Sequence, residues 1–298
     1  MSIHRRRTFC ALLALLPLVV LPAAVSTPAQ AAANAPVTKV LVFVEENHSL
    51  NEMAAQMPYT YSLATRYGYA TNYHAITHPS LPNYLAIAAG STFGVTNDAP
   101  PSSHPLYATT VFGAARTAGR TAKTYAESMP SNCYHGNYGN YGNYAVKHNP
   151  WAYFTPSWER TGCQSFDVPV SALATDAAHG TLPTNGLVVP NLCNDAHNCS
   201  LATADAWFKA RMTGILAGPD FQSGHLAIVL TADEDDYTQG NTVLTVMIHP
   251  SQYHHVVHTY LNHYTLTRFY QDVAHSRPFL GNAGRVEDLG YAFGVPLG

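Results

Sequence analysis

The chain has 298 residues, of which 47% are hydrophobic and only 11% charged, with a formal net charge of −3. That length supports one large domain with a sizeable core, and the mild acidity excludes the basic footprint of a nucleic-acid binder. Sixteen His and nineteen Tyr among so few charges suit a polar site that handles protons and oxygens.

In chain order, residues 1–33 read as a secretory signal peptide. Arg5, Arg6 and Arg7 form a positive start, Cys10 to Val25 an apolar run, and Ala29-Gln30-Ala31 or Ala31-Ala32-Ala33 a small-residue cleavage site. Pro17 and Pro22 break that run and make it a poor membrane anchor. The expected mature chain is 34–298, one domain, secreted or periplasmic, with no membrane span. The leader holds three of the 15 Lys and Arg and none of the 18 Asp and Glu, so the mature chain is more acidic still.

Thr38 to Glu45 predicts a buried strand that ends abruptly in Glu45-Glu46-Asn47-His48. Tyr69 to Ala75 predicts a second, more polar strand. Leu81 to Ala89 predicts a short helix ended by Gly90, and Tyr107 to Ala118 an amphipathic helix closed by Gly119. Strands follow at Thr121–Tyr125 and Gly186–Val189, then a helix at Ala202–Leu216. His225–Leu230 predicts a buried strand running into Asp233-Glu234-Asp235-Asp236, Thr242–Ile248 another strand, and His255–Val273 a helix. Strands alternating with helices predict an α/β fold, a mainly parallel central sheet flanked by helices on both faces. In such folds ligands bind beyond the carboxyl ends of the strands, where Glu45–His48, Pro190–His197 and Asp233–Asp236 all fall.

The candidate chemistry sits in those clusters. Glu46, Asn47, Asp233 and Glu234 offer oxygen ligands suited to a divalent cation such as Mg, Ca or Mn, with Zn and Fe also open. Ser80 lies just before the Leu81–Ala89 helix, with Pro82 in its first turn and Asn83 one turn on. A helix start favours a phosphate, and a hydroxyl beside a divalent cation becomes a nucleophile. His48, His78, His197 and His263 stand near these clusters and are candidates to bind phosphate, bind a second metal or protonate a leaving group. His249, His254, His255 and His258 read as surface or helix-face residues. The Gly136–Tyr144 repeat, G-N-Y three times over, reads as a loop whose tyrosines wall off water or stack on a base or sugar. Beyond the leader, Cys133, Cys163, Cys193 and Cys199 make an even count, which argues for two disulfides. Of the three pairings, Cys133–Cys163 and Cys193–Cys199 close local loops and are favoured.

Seven stretches together resemble the phosphoesterase family of bacterial acid phosphatases and phospholipases C, in the alkaline-phosphatase-like superfamily. They are V-E-E-N-H-S (Val44 to Ser49), T-H-P-S-L-P-N-Y (Thr77 to Tyr84), Y-A-E-S-M-P (Tyr125 to Pro130), K-H-N-P-W-A-Y-F (Lys147 to Phe154), V-P-N-L-C-N-D-A-H (Val189 to His197), T-A-D-E-D-D (Thr231 to Asp236) and N-H-Y-T-L (Asn262 to Leu266). The resemblance implies an alkaline-phosphatase-like fold and a secreted, metal-dependent phosphomonoesterase acting on a small phosphate ester through a phosphoserine. On that pattern Ser80 is the nucleophile; His197 and His78 are the further catalytic candidates for their place beside the other clusters. Glu46, Asn47, Asp233 and Glu234 hold the metal, while Asn47, Asn83 and His263 contact substrate. Asn191, Asp195, His197 and His263 fall where the superfamily places a second metal or its phosphate-binding histidines, though Asn191 replaces the Asp of two-metal relatives. The lack of extra C-terminal modules favours the acid-phosphatase branch. A phospholipase C-type phosphodiesterase and a catalytically inactive phosphate-ester-binding protein remain the alternatives.

Overall fold

The computed structural model describes residues 1, 28–139 and 143–298. Most of the expected leader, residues 2–27, lies outside the described residues, as do 140–142 of the Gly-Asn-Tyr repeat. Both candidate cleavage positions fall in a short helix, Pro28–Asn34.

Among the described residues ten strands form two sheets. They are β1 (Lys39–Glu45), β2 (Gly68–Ala70), β3 (Tyr73–His74), β4 (Ala122–Ala126), β5 (Asp167–Pro169), β6 (Asn185–Val189), β7 (Leu226–Ala232), β8 (Thr245–Ile248), β9 (His255–Val257) and β10 (Leu261–Asn262). Eight make the main sheet in the order β5-β4-β6-β1-β7-β8-β2-β9, and β10 pairs with β3 in a small second sheet. Every main-sheet pairing is parallel except the two made by β8. The central strands are buried along their length, which is why they read as unbroken apolar runs and not as alternating patterns.

Helices cover both faces. Phe43 of β1 meets Phe208 of helix Leu201–Ala217 edge-on at 5.0 Å. On the other face helix His263–Val273 is tied to helix Ser80–Ala89 by the Thr267 hydroxyl on the Ala86 carbonyl at 2.6 Å, and to β6 by the Tyr270 hydroxyl on the Gly186 carbonyl at 2.7 Å. Gly90 ends helix Ser80–Ala89 in the left-handed region, φ 68°, and a Cβ there would lie 2.3 Å from the Leu280 carbonyl oxygen. Only glycine meets both conditions. Among the described residues no helix is long and apolar enough to cross a membrane.

Two predicted elements are corrected. The expected strand Tyr69–Ala75 breaks at Thr71-Asn72, so that β2 joins the main sheet and β3 the small one. The expected helix His255–Val273 begins only at His263, where the Asn262 side chain accepts the Tyr264 N–H at 3.0 Å as an N-cap. The residues before it pair as β9 and β10, because Gly68–Ala70 and Tyr73–His74 offer them open edges. His249 is also not a surface residue. It is buried, with Nδ1 on the Ser251 hydroxyl and Nε2 on the Gly224 carbonyl, each at 2.8 Å.

Both favoured disulfides are formed, Cys133–Cys163 and Cys193–Cys199. The larger loop contributes roughly 3–4 kcal/mol in the chain-entropy account. Asp167, beside it, is fully buried, and burial pushes its carboxyl up to about 7, against the hydrogen bonds from Thr124 and Asn149. A carboxyl whose folded pKa lies above its unfolded value stabilises at low pH and loses that contribution as pH rises through the folded pKa. Asp167 therefore costs roughly 1–3 kcal/mol of stability between pH 5 and pH 8. Chemical denaturation across that range is expected to show a shallower pH slope for Asp167→Asn; an unchanged slope would mean that the carboxyl is ionised in the fold.

Candidate active site

Strand register assembles the site. In the parallel β1–β7 ladder Glu45 stands opposite Ala232, so Glu46 and Asp233 leave the sheet side by side. The Asp233 N–H donates to the Glu45 carbonyl at 3.0 Å, and the Glu46 N–H to the Asp195 carbonyl at 2.8 Å. The second bond ties β1 to the loop after β6. Asn47 turns the chain away at φ 53°, a left-handed position that Asn tolerates better than most residues.

Ser80 is the first residue of helix Ser80–Ala89 and is 1% exposed. Its hydroxyl donates to Glu46 Oε2 at 3.0 Å and accepts from Lys147 Nζ at 3.3 Å. Tyr84, one turn on, donates to Glu46 Oε1 at 2.5 Å. His148 lies between two acids, with Nε2 3.1 Å from Glu46 Oε2 and Nδ1 3.1 Å from Asp195 Oδ2. The first contact is an ion pair without hydrogen-bond alignment, since His148 Nε2 meets no acceptor in hydrogen-bond geometry. Lys147 Nζ also reaches Asp98 Oδ2 at 3.1 Å and His197 Nε2 at 3.4 Å, and Asp98 Oδ1 accepts the Leu81 N–H at 2.9 Å.

Charge divides the site in two. Burial pushes the Glu46 carboxyl up, but His148, then Lys147 and Tyr84, bring it down to about 2. Burial likewise disfavours the His148 cation, and Glu46 with Asp195 overcomes that and raises it to about 10. Glu46 and His148 thus form a buried carboxylate–imidazolium pair. On the other side Asp233 is driven well above the carboxylate range by burial, Glu46 and Glu234. Glu234 is pushed up to about 8 by burial, then Glu46 and Asp98. These acids lack a nearby positive charge sufficient to hold them ionised.

Two buried oxygens there have no hydrogen-bond partner, Asn47 Oδ1 and Asp233 Oδ2. They belong to neighbouring groups, since the Asn47 N–H donates to Asp233 Oδ1 at 3.1 Å. Orphaned buried acceptors among repelling carboxylates fit a hard divalent cation. The carboxylates are not drawn into one tight knot. Among the described residues the one set of three His, Cys, Asp or Glu ligand atoms lying within 4.8 Å of one another is Cys133, Cys163 and Asp167. Its two sulfurs are disulfide-bonded and offer no thiolate.

Ser80, Glu46, Asn47, Asp233, Glu234, His78, Asn83, Asp195 and His197 therefore come together. His78 lies 3.0 Å from Glu234 Oε2 and stacks on Tyr237. Asn83 is occupied by the chain itself: Oδ1 accepts the Ile76 and Thr77 N–H groups, and Nδ2 donates to the Thr77 carbonyl and to Glu234. His263 lies beneath, with Nε2 on the Asp233 carbonyl at 2.6 Å and Nδ1 3.1 Å from the Tyr73 hydroxyl. Both side chains are thus engaged by the chain itself around the site. Asn191 stands apart, its Oδ1 accepting the Cys193 and Asn194 N–H groups and its Nδ2 donating to Ser128. It shapes the loop that presents Asp195. Lys147, His148, Tyr84 and Asp98 had no predicted role. Lys147 is one of only four lysines and opens the K-H-N-P-W-A-Y-F stretch, which was the available signal.

A cavity of about 530 Å³ opens beside Lys147 and His197, walled partly by Tyr138 and Tyr144. A second hollow of about 440 Å³ is lined by His78, Asp235 and Tyr237.

Residues 46–273 match the Phosphoesterase family. A phosphatidylinositol-3-phosphatase of Mycobacterium tuberculosis is 32% identical over 244 residues, covering 78% of this chain and 76% of that protein. A phosphate-repressible acid phosphatase of Penicillium chrysogenum is 31% identical over 182 residues, 60% of this chain and 44% of that protein. The chain thus matches less than half the length of that fungal enzyme. A solved alkaline phosphatase superfamily protein from Vibrio parahaemolyticus superimposes with a TM-score of 0.56 at 10% identity, covering 84% of this chain and 69% of that one. The chain belongs to the phosphoesterase family and is a hydrolase of phosphoric ester bonds, built on the fold of the alkaline phosphatase superfamily.

Proposed function

We propose that the mature chain, residues 34–298, is an exported, metal-dependent phosphomonoesterase acting through a phosphoserine at Ser80. The observation that carries this reading is the Ser80 hydroxyl, held at a helix start between the Glu46 carboxylate and the Lys147 ammonium. The phosphatase names of two relatives favour a monoester over a diester.

Glu46, Asn47, Asp233 and Glu234 are the residues that would hold a divalent cation. When bound it neutralises phosphate oxygens and lowers the pKa of a neighbouring hydroxyl. Lys147 donates to a phosphoryl oxygen, and the first turn of helix Ser80–Ala89 adds its partial positive charge. The Ser80 hydroxyl gives up its proton to water, Oγ attacks phosphorus in line, the ester P–O bond breaks, and the alcohol leaves with a proton from His197 or water. Water then hydrolyses the phosphoserine and releases inorganic phosphate. His148 stays out of proton transfer; its charge fixes Glu46 against Ser80. Most of the work is positioning and charge stabilisation.

The test is p-nitrophenyl phosphate hydrolysis by the purified chain, with and without EDTA and with Mg, Mn, Ca or Zn restored. Turnover is expected to vanish with EDTA and return with at least one metal. Full activity in EDTA would remove the metal from the mechanism. Faster hydrolysis of bis(p-nitrophenyl) phosphate than of the monoester would favour the phospholipase C-type reading, and no turnover of either ester the binding-protein reading.

A further inference from the structure

The described residues of the Gly-Asn-Tyr repeat, 136–139 and 143–144, take no part in the steps above, yet they form part of a wall. The Tyr138 N–H donates to the Tyr144 carbonyl at 3.0 Å, the Tyr144 hydroxyl donates to the Tyr134 carbonyl at 2.8 Å, and the Asn149 amide donates to that hydroxyl at 3.1 Å. The Cys133–Cys163 disulfide anchors its base. This wall bounds the cavity of about 530 Å³ that opens off Lys147, and therefore off the nucleophile. The volume far exceeds what a phosphate needs.

The lining has a definite chemistry. Tyr138 is 51% exposed and offers ring surface, with Val146 and Leu192 as further apolar lining. Asn137 and Asn198 have committed oxygens: Asn137 Oδ1 accepts the Val146 N–H at 3.0 Å, and Asn198 Oδ1 pairs with His197 Nδ1 at 2.7 Å. What these amides have left to offer is their NH₂ donors. Lys147 and Asp98, the lining side chains of the Lys, Arg, Asp and Glu types, bind each other at 3.1 Å. Apolar ring surface plus amide donors, without net charge, suits a neutral ring bearing hydroxyls. It does not suit a second phosphate or a long acyl chain.

We infer that this cavity is the leaving-group pocket and that it selects monoesters of a sugar or cyclitol. The inference rests on the phosphomonoesterase reading. In wild type, kcat/KM for glucose 6-phosphate is expected to exceed that for methyl phosphate, whose leaving group is also a primary alcohol, by roughly tenfold or more. Tyr138→Ala and Asn198→Ala should each collapse that ratio toward one; both side chains are exposed, so the fold tolerates the change. Equal kcat/KM for the two esters in wild type would overturn the inference. So would preference for AMP over glucose 6-phosphate, or a ratio untouched in both variants. If no monoester is hydrolysed, the phosphomonoesterase reading fails, and calorimetric titration of Ser80→Ala decides the pocket separately. Glucose 6-phosphate binding tighter than inorganic phosphate, and weakened by adding Tyr138→Ala, would keep the pocket; equal binding would end it.

Discussion

Ser80→Ala is expected to lower p-nitrophenyl phosphate turnover by at least about a thousandfold, with a Tm within a few degrees of wild type. The two halves of that result have separate causes. Activity falls because the phosphoryl acceptor is gone. The fold survives because the partners left behind are not orphaned: Glu46 Oε2 keeps His148 at 3.1 Å, and Lys147 keeps Asp98 at 3.1 Å. The loss is then one hydroxyl contact, worth about 1 kcal/mol. Acid quenching of wild type during turnover should trap phosphate on the peptide containing Ser80, and the variant should trap none. A variant that retains more than a tenth of wild-type turnover would show that another group, or water itself, attacks phosphorus.

Asp233→Asn is expected to abolish metal-dependent turnover and at the same time to stabilise the metal-free protein, by about 1–3 kcal/mol. Asp233 is fully buried, and Glu46 and Glu234 oppose its ionisation. In the absence of a cation the carboxyl folds only at the cost of taking up a proton at neutral pH. Asparagine keeps an oxygen for the Asn47 and Glu234 N–H groups that now bind Oδ1. Its NH₂ replaces the unpartnered Oδ2 without any charge to bury. Thermal denaturation with EDTA and with saturating metal distinguishes the cases. Wild type should gain stability from metal and the variant should not. A variant stabilised by metal as much as wild type would place the cation elsewhere.

The central strands were legible because burial on both faces leaves an apolar run with few other readings, and because β1 and β7 run into acids that no apolar ladder would retain. Ser80, Glu46, Asn47, Asp233 and Glu234 could be named from that punctuation and from the family pattern. His148 and Lys147 could not. They come from a short 3₁₀ turn, Val146–His148, within a long irregular stretch where no periodicity announces an element. Their importance arises only when the chain folds back beside Glu46. Helices Leu50–Gln56, Pro58–Arg66, Ser157–Phe166 and Ser171–His179 were unpredicted for a related reason: they are short, and tertiary contacts make them. The Asp205 carboxylate, far along the chain, accepts the Tyr59 and Thr60 N–H groups at the start of the second of these. The misread helix at His255 has the same origin, since its first residues were claimed by strand edges presented from Gly68–His74.

The pairing of Glu45 with Ala232 also works as a ruler. Neighbouring strands in any sheet lie about 4.8 Å apart, a span that two side chains can bridge when each reaches about 2–2.5 Å to one cation. The separation of the Glu46 and Asp233 anchors is therefore inherited from backbone hydrogen bonding and is indifferent to what the surrounding loops become. Insertions in the Tyr-rich wall or after β6 can reshape what the protein accepts without moving those anchors. On the proposed function, substrate range and metal geometry come under separate control, one written in loops and the other in the ladder.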